Sequence, residues 1–246
     1  MARLRISPHR TAGALARQCD LLLVFGGDGT MLRVAREVAG CRTPVLGINL
    51  GSLGFLTAVP SDELGAVLKE VWANQFTLES RPLIQVTGGP RNEPLDQTAL
   101  NDFVISRGAG SRMIELEVSV DDQVLTCYRC DGLVVSSPTG STAYSLSAGG
   151  AVVTPNAEVF TITPICPHTL SNRSVVVNLD SVVKVRVVSK WPEIVVAADG
   201  QVEIKLAAGD EISIRRSRRV LRLLRPAGNT FFKTLRQKLN WSGSNV

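Results

Sequence analysis

The chain has 246 residues, enough for one large domain or two small ones, and its 44% hydrophobic and 20% charged residues are the proportions expected of a soluble globular protein. Aromatic residues make up only 5%, so the core is expected to rest on Val, Leu, Ile and Ala, and a net charge of +5 suits anionic small-molecule ligands without demanding nucleic acid. The longest strictly aliphatic or aromatic stretch, LLLVF, is far too short to cross a bilayer, which argues against a membrane partner.

The opening MARLRISPHR is basic with no apolar run behind it, so no secretory signal is read there. CDLLLV (19–24) reads as a buried strand, and MLRVAREVAG (31–40) as a helix over 31–39, because Met31, Leu32, Val34, Ala35 and Val38 recur at helical spacing. Between them FGGDGTML places Asp28 in a glycine turn at a helix N-terminus, where free N–H groups and the positive dipole end suit a phosphate. Glycine lets a ligand come close to the backbone, but an acid repels an anion, so Asp28 is out of place in a plain phosphate site. A simple strand–helix connection remains the alternative. The strand PVLGIN and a helix within 61–74 follow, and this alternation predicts a parallel, doubly wound α/β layer.

From Leu83 to Leu224 the chain reads mostly as β structure, in PLIQVTG, LNDFVISR, MIELEVSVDD, QVLTCYRCDGLVVSS, SVVKVRVVS, PEIVVAAD, QVEIKLAAGD and EISIRRS, separated by Asp-Asp, Gly-Asp and Pro-containing turns. A β-sandwich or layered sheet domain is expected. Asn101 and Asp102 interrupt one of these strands; an adjacent amide and carboxylate can grip a ribose or an adenine edge, or can simply form a turn or bulge. In 131–155 the run Ser136, Ser137, Pro138, Thr139, Gly140, Ser141 and Thr142 supplies hydroxyls and N–H groups for phosphate or sugar oxygens, with a helix expected from about Thr142 to Ala148 and the Tyr144 ring beside it.

Five cysteines, an odd number, do not make a disulfide framework, and a reducing cytoplasm is the expected setting. Cys127 and Cys130 form a C-x-x-C that lacks a second cysteine pair or nearby His, and they read as structural thiols on a strand. The arginine run RRSRRVLRLLRP (215–226) interleaves with Val220, Leu221, Leu223 and Leu224 as a strand with a solvated face, without the stacking aromatics of a nucleic-acid site. In NTFFKTLRQKLNW, Phe231, Leu235 and Leu239 share one helical face, expected to pack back on the first domain. The domains are expected at 1–82, completed by 226–246, and at 83–225.

These stretches together resemble the NAD kinase family, in its bacterial form, over nearly the whole chain. The resemblance rests on GGDGT (26–30), GINLGSLGFL (47–56), LNDFVI (100–105), DGLVVSSPTGSTAYSLSAGG (131–150), PICPHTLSNR (164–173), ADGQ (198–201) and the terminal FFKTLRQKLNW. GGDG alone is weak, since lipid and sugar kinases carry similar turns; the 131–150 block joined to the PHTLSNR stretch is highly specific.

The resemblance implies a Rossmann-like α/β domain, shortened here, and a β-sandwich-like domain. It implies an ATP-dependent kinase that phosphorylates the 2′-hydroxyl of the adenosine ribose of NAD, with Mg²⁺ or another divalent metal accompanying ATP and no metal-ligating residue in the protein. By the same resemblance Asp28 is the catalytic base, and Gly26, Gly27, Gly29 and Thr30 face the ATP phosphates. Asp28, Gly29, Phe55, Asn101, Asp102, Arg112, Arg129, Asp131, Thr142, Ala143, Tyr144, Ser145, Ser147, Cys166 and Gln201 fall at NAD-binding positions, and His168 is read as structural. A homodimer or homotetramer is implied, with sites completed by a neighbour's β domain, and neither nucleic acid nor membrane is a partner. Family members place a strand, a glycine turn and a helix ahead of the GGDGT strand; here about twenty residues precede LLLVF, and RTAGALARQCD corresponds to the tail of that unit. A catalytically weak NAD(H)-binding module is therefore one alternative. A GGDG-type lipid or sugar kinase is the other, though it would not be expected to carry TGSTAYSLSAGG.

Overall fold

The computed structural model describes residues 11–90, 94–108, 112–169, 171–190 and 194–241. In chain order the elements are α1 (Ala12–Ala16), β1 (Leu22–Gly26), α2 (Asp28–Glu37), β2 (Val45–Asn49), β3 (Val59–Pro60), α3 (Leu64–Trp72), β4 (Phe76–Gly88), β5 (Leu95–Ala99), β6 (Asp102–Arg107), β7 (Ile114–Val120), β8 (Gln123–Cys130), β9 (Gly132–Ser136), α4 (Tyr144–Ser147), β10 (Val159–Ile165), β11 (Val175–Asn178), β12 (Val183–Val187), β13 (Ile194–Ala198), β14 (Val202–Leu206), β15 (Glu211–Pro226) and α5 (Phe231–Lys238). Two compact units result, one of residues 1–80 with 221–246 and one of residues 81–220. The opening MARLRISPHR lies outside the described residues, as do Pro192 and Glu193 of the expected strand PEIVVAAD.

The first unit is α/β. Strand β1 pairs in parallel with β2, and β2 pairs in parallel with β3 and, at Val45, with Leu223 of β15. Every residue of β2 is buried, as a strand covered on both faces requires. Leu46, Ile48, Val59, Val67 and Leu224 form an apolar cluster there. Helix α2 starts at Asp28, three residues before the expected 31–39, because the N–H groups of Thr30 and Met31 both donate to the Gly27 carbonyl and close the first turn across the glycines. Helix α5 follows the expected face. Thr230 caps it by accepting from the Lys233 N–H, Leu235 is buried, and Phe231 packs on Phe55 with ring centroids 6.2 Å apart.

The second unit is an all-β sandwich. One layer among the described residues is the antiparallel sheet β11-β10-β9-β6-β13-β14. In the other, β12 pairs antiparallel with β7 and with residues 211–214 of β15, β7 with β8, and β4 with β5. Alternating side chains of both layers, among them Phe103, Ile105, Leu116, Phe160, Val185 and Ile212, meet in one apolar core. The arginine run lies in β15, where Arg215, Arg218, Arg219 and Arg222 are exposed, as a strand with a solvated face requires. Arg216 is half-buried beside Glu158 and Asp180, and Arg225 departs further. It is buried, its Nε donating to Glu79 Oε2 at 3.0 Å and its Nη2 to the Phe55 carbonyl at 2.9 Å.

Phe160 has no solvent exposure and stands in the sandwich core. Truncation by Phe160→Ala is expected to cost about 3–5 kcal/mol, read as a lower urea midpoint with an unchanged m-value.

Candidate functional site

In the first unit the sequence around Asp28 builds a closed hydrogen-bond set. The carboxylate reaches across to residues 55–57: Oδ2 accepts the Phe55 N–H at 2.8 Å, while Oδ1 accepts the N–H groups of Leu56 at 3.0 Å and Thr57 at 3.1 Å and the Thr57 hydroxyl at 3.1 Å. A carboxylate has about four acceptor positions, two per oxygen. Oδ1 is thus saturated, and Oδ2 keeps capacity for one more donor. A Cβ on Gly54 would collide with Asp28 Oδ1 and Thr57 Oγ1, so this approach needs glycine. Gly27 and Gly29 are exposed at the start of α2 with open space where a Cβ would stand. At Gly26, φ is +153° and a Cβ would meet Thr30 Oγ1, so Thr30 packs back over the turn.

In the second unit the Leu100–Asp102 corner is held from both sides. Asp199 accepts the N–H groups of Leu100 at 3.1 Å, Asn101 at 2.8 Å and Asp102 at 3.4 Å, and its own N–H donates to the Asp102 carbonyl at 3.0 Å. The Asn101 carbonyl accepts from the Ser137 N–H at 2.8 Å and the Ser136 hydroxyl at 3.3 Å, and the Leu100 carbonyl from the Ser137 hydroxyl at 2.5 Å. The side chains differ in burial: Asn101 is half-buried, whereas Asp102 is 4% exposed. Burial, then the neighbouring Asp199 charge, push that carboxyl up to about 7.

The hydroxyl-rich loop differs from expectation. Ser136, Ser137 and Ser141 are fully buried, and each bonds within the protein; Ser141, for example, donates to the Pro138 and Val153 carbonyls. Instead of one helix over 142–148, a 3₁₀ turn (Thr139–Thr142) precedes the four-residue α4. The reason is packing. A Cβ on Gly140 would strike the Asn101 backbone, so small residues are needed to lay the loop on the corner. Ser145 belongs to the same internal set, buried with its hydroxyl 3.2 Å from both Thr161 and Thr163, the latter 2.7 Å from Ser174. Thr142 and Ala143 are half-buried, and Tyr144 and Ser147 are exposed.

The remaining expected positions lie near strand ends of the second unit. Asp131 pairs with Arg107 (Oδ1 to Nε, 2.9 Å), Arg129 pairs with Glu115 at 3.1 Å, and Arg112 is exposed. His168 donates its backbone N–H to the Arg129 carbonyl at 2.8 Å. Cys166 is exposed with φ of 45°, and Gln201 closes the β13–β14 turn through its N–H. Cys127 and Cys130 fall on opposite faces of β8, one exposed and one buried, because three strand steps reverse the side-chain direction. Burial pushes the Cys130 thiol up to about 12, and burial raises Cys127 as well, which suits inert thiols. Sequence reasoning missed Gly54, Thr57 and Asp199. Asp199 entered only as part of the ADGQ motif, without the three amides that its carboxylate collects.

A glycine turn opening on an acid-led helix sets phosphate-binding N–H groups beside a carboxylate, which suits phosphoryl transfer, and the family matches of the chain place it among the nucleotide-binding phosphotransferases. Residues 9–76 match the ATP-NAD kinase N-terminal domain and residues 100–225 the ATP-NAD kinase C-terminal domain. The chain belongs to the NAD kinase family. It is 42% identical over 230 residues to the NAD kinase of Syntrophotalea carbinolica, covering 93% of this chain and 81% of that one. With the NAD kinase of Moorella thermoacetica it shares 48% identity over 223 residues, covering 91% and 72%. Among solved structures, yeast NADH kinase complexed with NADH aligns with a TM-score of 0.87 and 29% identity, over 96% of this chain and 70% of that one. An NAD kinase from Archaeoglobus fulgidus in complex with ATP aligns with a TM-score of 0.81 and 28% identity, over 97% and 89%.

Gly54→Ala is expected to unseat the Asp28 carboxylate and to cost about 1–3 kcal/mol, measured by thermal unfolding. Asp102 generates a pH signature. Its folded value of about 7 exceeds its ordinary 3.8, so the native state holds a proton that the unfolded chain releases. That contribution is fully present below about pH 4 and is lost as pH rises through about 7, with a slope of at most about 1.4 kcal/mol per pH unit. Asp102→Asn is expected to flatten this slope in urea midpoints measured from pH 4 to pH 8.

Proposed function

We propose that this chain transfers the γ-phosphoryl group of ATP to the 2′-hydroxyl of the adenosine ribose of NAD, giving NADP, with Asp28 as the base. One observation carries the role of Asp28: its carboxylate is fixed by four donors, three of them on Oδ1, which leaves an acceptor position on Oδ2 for a substrate hydroxyl. An alcohol held at that atom is oriented for attack, and Oδ2 takes its proton as the new P–O bond forms and the bond to the ADP oxygen breaks. In a loose transition state the proton leaves late, so positioning and electrostatics supply most of the acceleration. Gly26, Gly27, Gly29 and Thr30 at the start of α2 receive the phosphates on backbone and hydroxyl donors, helped by the helix dipole.

Asn101 and Asp102 hold the adenosine in this reading, with Thr142, Ala143, Tyr144 and Ser147 around the base and ribose. Phe55, Arg112, Arg129, Asp131, Cys166 and Gln201 are further NAD contacts; Ser145 supports α4 from beneath. The divalent ion, Mg²⁺ in our reading, enters with ATP as part of the substrate; among the described residues no group of three or more His, Cys, Asp or Glu is gathered to hold one separately. We place the enzyme in the cytoplasm, a setting that five free thiols suit. A homodimer or homotetramer is supported by Val124, 68% exposed, and by Leu125 beside it on β8. No helix among the described residues is long and apolar enough to cross a membrane.

The test is NADP formation from ATP, Mg²⁺ and NAD by the wild type and by Asp28→Asn. The amide can keep Oδ1 as acceptor, so the variant is expected to fold, at a cost of about 1–3 kcal/mol from the unpaired Phe55 N–H. Its kcat is expected to fall by about 10²-fold or more while NAD still binds by calorimetry. Equal turnover by both proteins would falsify the base assignment, and binding without turnover by the wild type would favour the NAD(H)-binding module.

A further inference from the structure

We propose that Asp199 is a positioning residue for the nucleoside half of the site: its carboxylate holds the Leu100–Asp102 backbone in the shape that presents Asn101 and Asp102 to NAD. This rests on the reading of Asn101 and Asp102 as adenosine contacts. Asp199 and Gly200, at φ of 50° and 62°, are the two central residues of the tight turn between β13 and β14, closed by the Gln201 N–H to the Ala198 carbonyl at 3.0 Å. A turn of this hand asks only for residues tolerant of positive φ, and Asn meets that demand at least as well as Asp. Turn chemistry therefore explains the backbone of Asp199 and leaves its charge unexplained.

The charge has a partner set. Three consecutive N–H groups, of Leu100, Asn101 and Asp102, point at one buried carboxylate that is about a hundred residues away in sequence. The corner departs from the β5–β6 path just where its N–H groups lose a neighbouring strand, and a buried N–H without a partner is costly. With the Ser136 and Ser137 bonds to the carbonyls of Leu100 and Asn101, and the Asp199 N–H to that of Asp102, every backbone polar group of the three residues is satisfied before any ligand arrives. The site pays for this order in electrostatics, because a second carboxylate is set against Asp102. A purely structural anchor for a turn would avoid that pairing; an anchor for a preformed binding corner has use for it, since a ligand that donates to Asp102 relieves it.

Asp199→Asn keeps the turn and replaces one acceptor oxygen by an NH₂ group aimed at backbone N–H donors. The expected result is an NAD KM, and an NAD Kd by calorimetry, raised about tenfold, with kcat and the ATP KM changed less than about threefold. A merely structural loss would instead lower the folded fraction, reducing apparent kcat without moving either KM. A folded variant with unchanged NAD affinity overturns the proposal. Amide exchange in the wild type provides a second measure that needs no variant. Protection at residues 100–102 in nucleotide-free protein supports the anchor, and protection that appears only with NAD overturns it. Wild-type protein that binds NAD but makes no NADP sinks the transfer reading while the Kd comparison still decides Asp199; wild type that does not bind NAD overturns both.

Discussion

Backbone N–H groups gathered on a buried or half-buried carboxylate are the interaction on which the rest of this molecule turns. Loops that leave a sheet must still satisfy their amides, and in each unit one aspartate does so across a long sequence separation, Asp28 for residues 55–57 and Asp199 for residues 100–102. Charged acceptors make stronger bonds than neutral ones, so a few such contacts fix a loop that has little apolar surface of its own. Small residues then become obligatory nearby. Gly54 and Gly140 sit where any Cβ would strike the bonded groups or the backbone behind them.

The two aspartates differ in what they leave over. Asp28 keeps an acceptor position and lies at the first residue of α2, so it unites a structural bond set with a position for chemistry. Asp199 is buried against the corner it holds, and the chemical capacity passes to its neighbour Asp102, a buried carboxyl whose proton affinity it raises. Arg225 extends the first set: by binding the Phe55 carbonyl while Asp28 binds the Phe55 N–H, it fixes both ends of that residue's peptide groups.

Much of the fold was readable in advance. The spacing of Met31, Leu32, Val34 and Ala35 marks a buried helix face, the run PVLGIN marks a strand, and Phe231, Leu235 and Leu239 mark the face of α5. Helix α2 began earlier than its apolar spacing indicated because its first turn is glycine and acid, which carry no periodic signal. For the site, Asp28 stood out as an acid in a phosphate-type turn, and Asn101 and Asp102 as polar residues in an apolar strand. Asp199 did not, since a turn aspartate looks the same whether its carboxylate faces water or three amides. The hydroxyls of Ser136, Ser137 and Ser141 turned inward for a related reason: a small polar side chain has the same sequence signature when it serves a ligand and when it braces a loop.

Beneath α4, Ser145, Thr161, Thr163 and Ser174 form a relay of hydroxyls. Each of these groups gives one hydrogen and receives others, so the relay can run in either sense without stranding a proton. No member ionises in the physiological range. The short helix that carries Tyr144 and Ser147 therefore has a foundation indifferent to acidity, standing in the same sheet as a carboxyl that titrates near neutrality, so a change of pH alters one support of the sandwich surface and leaves the other as it was.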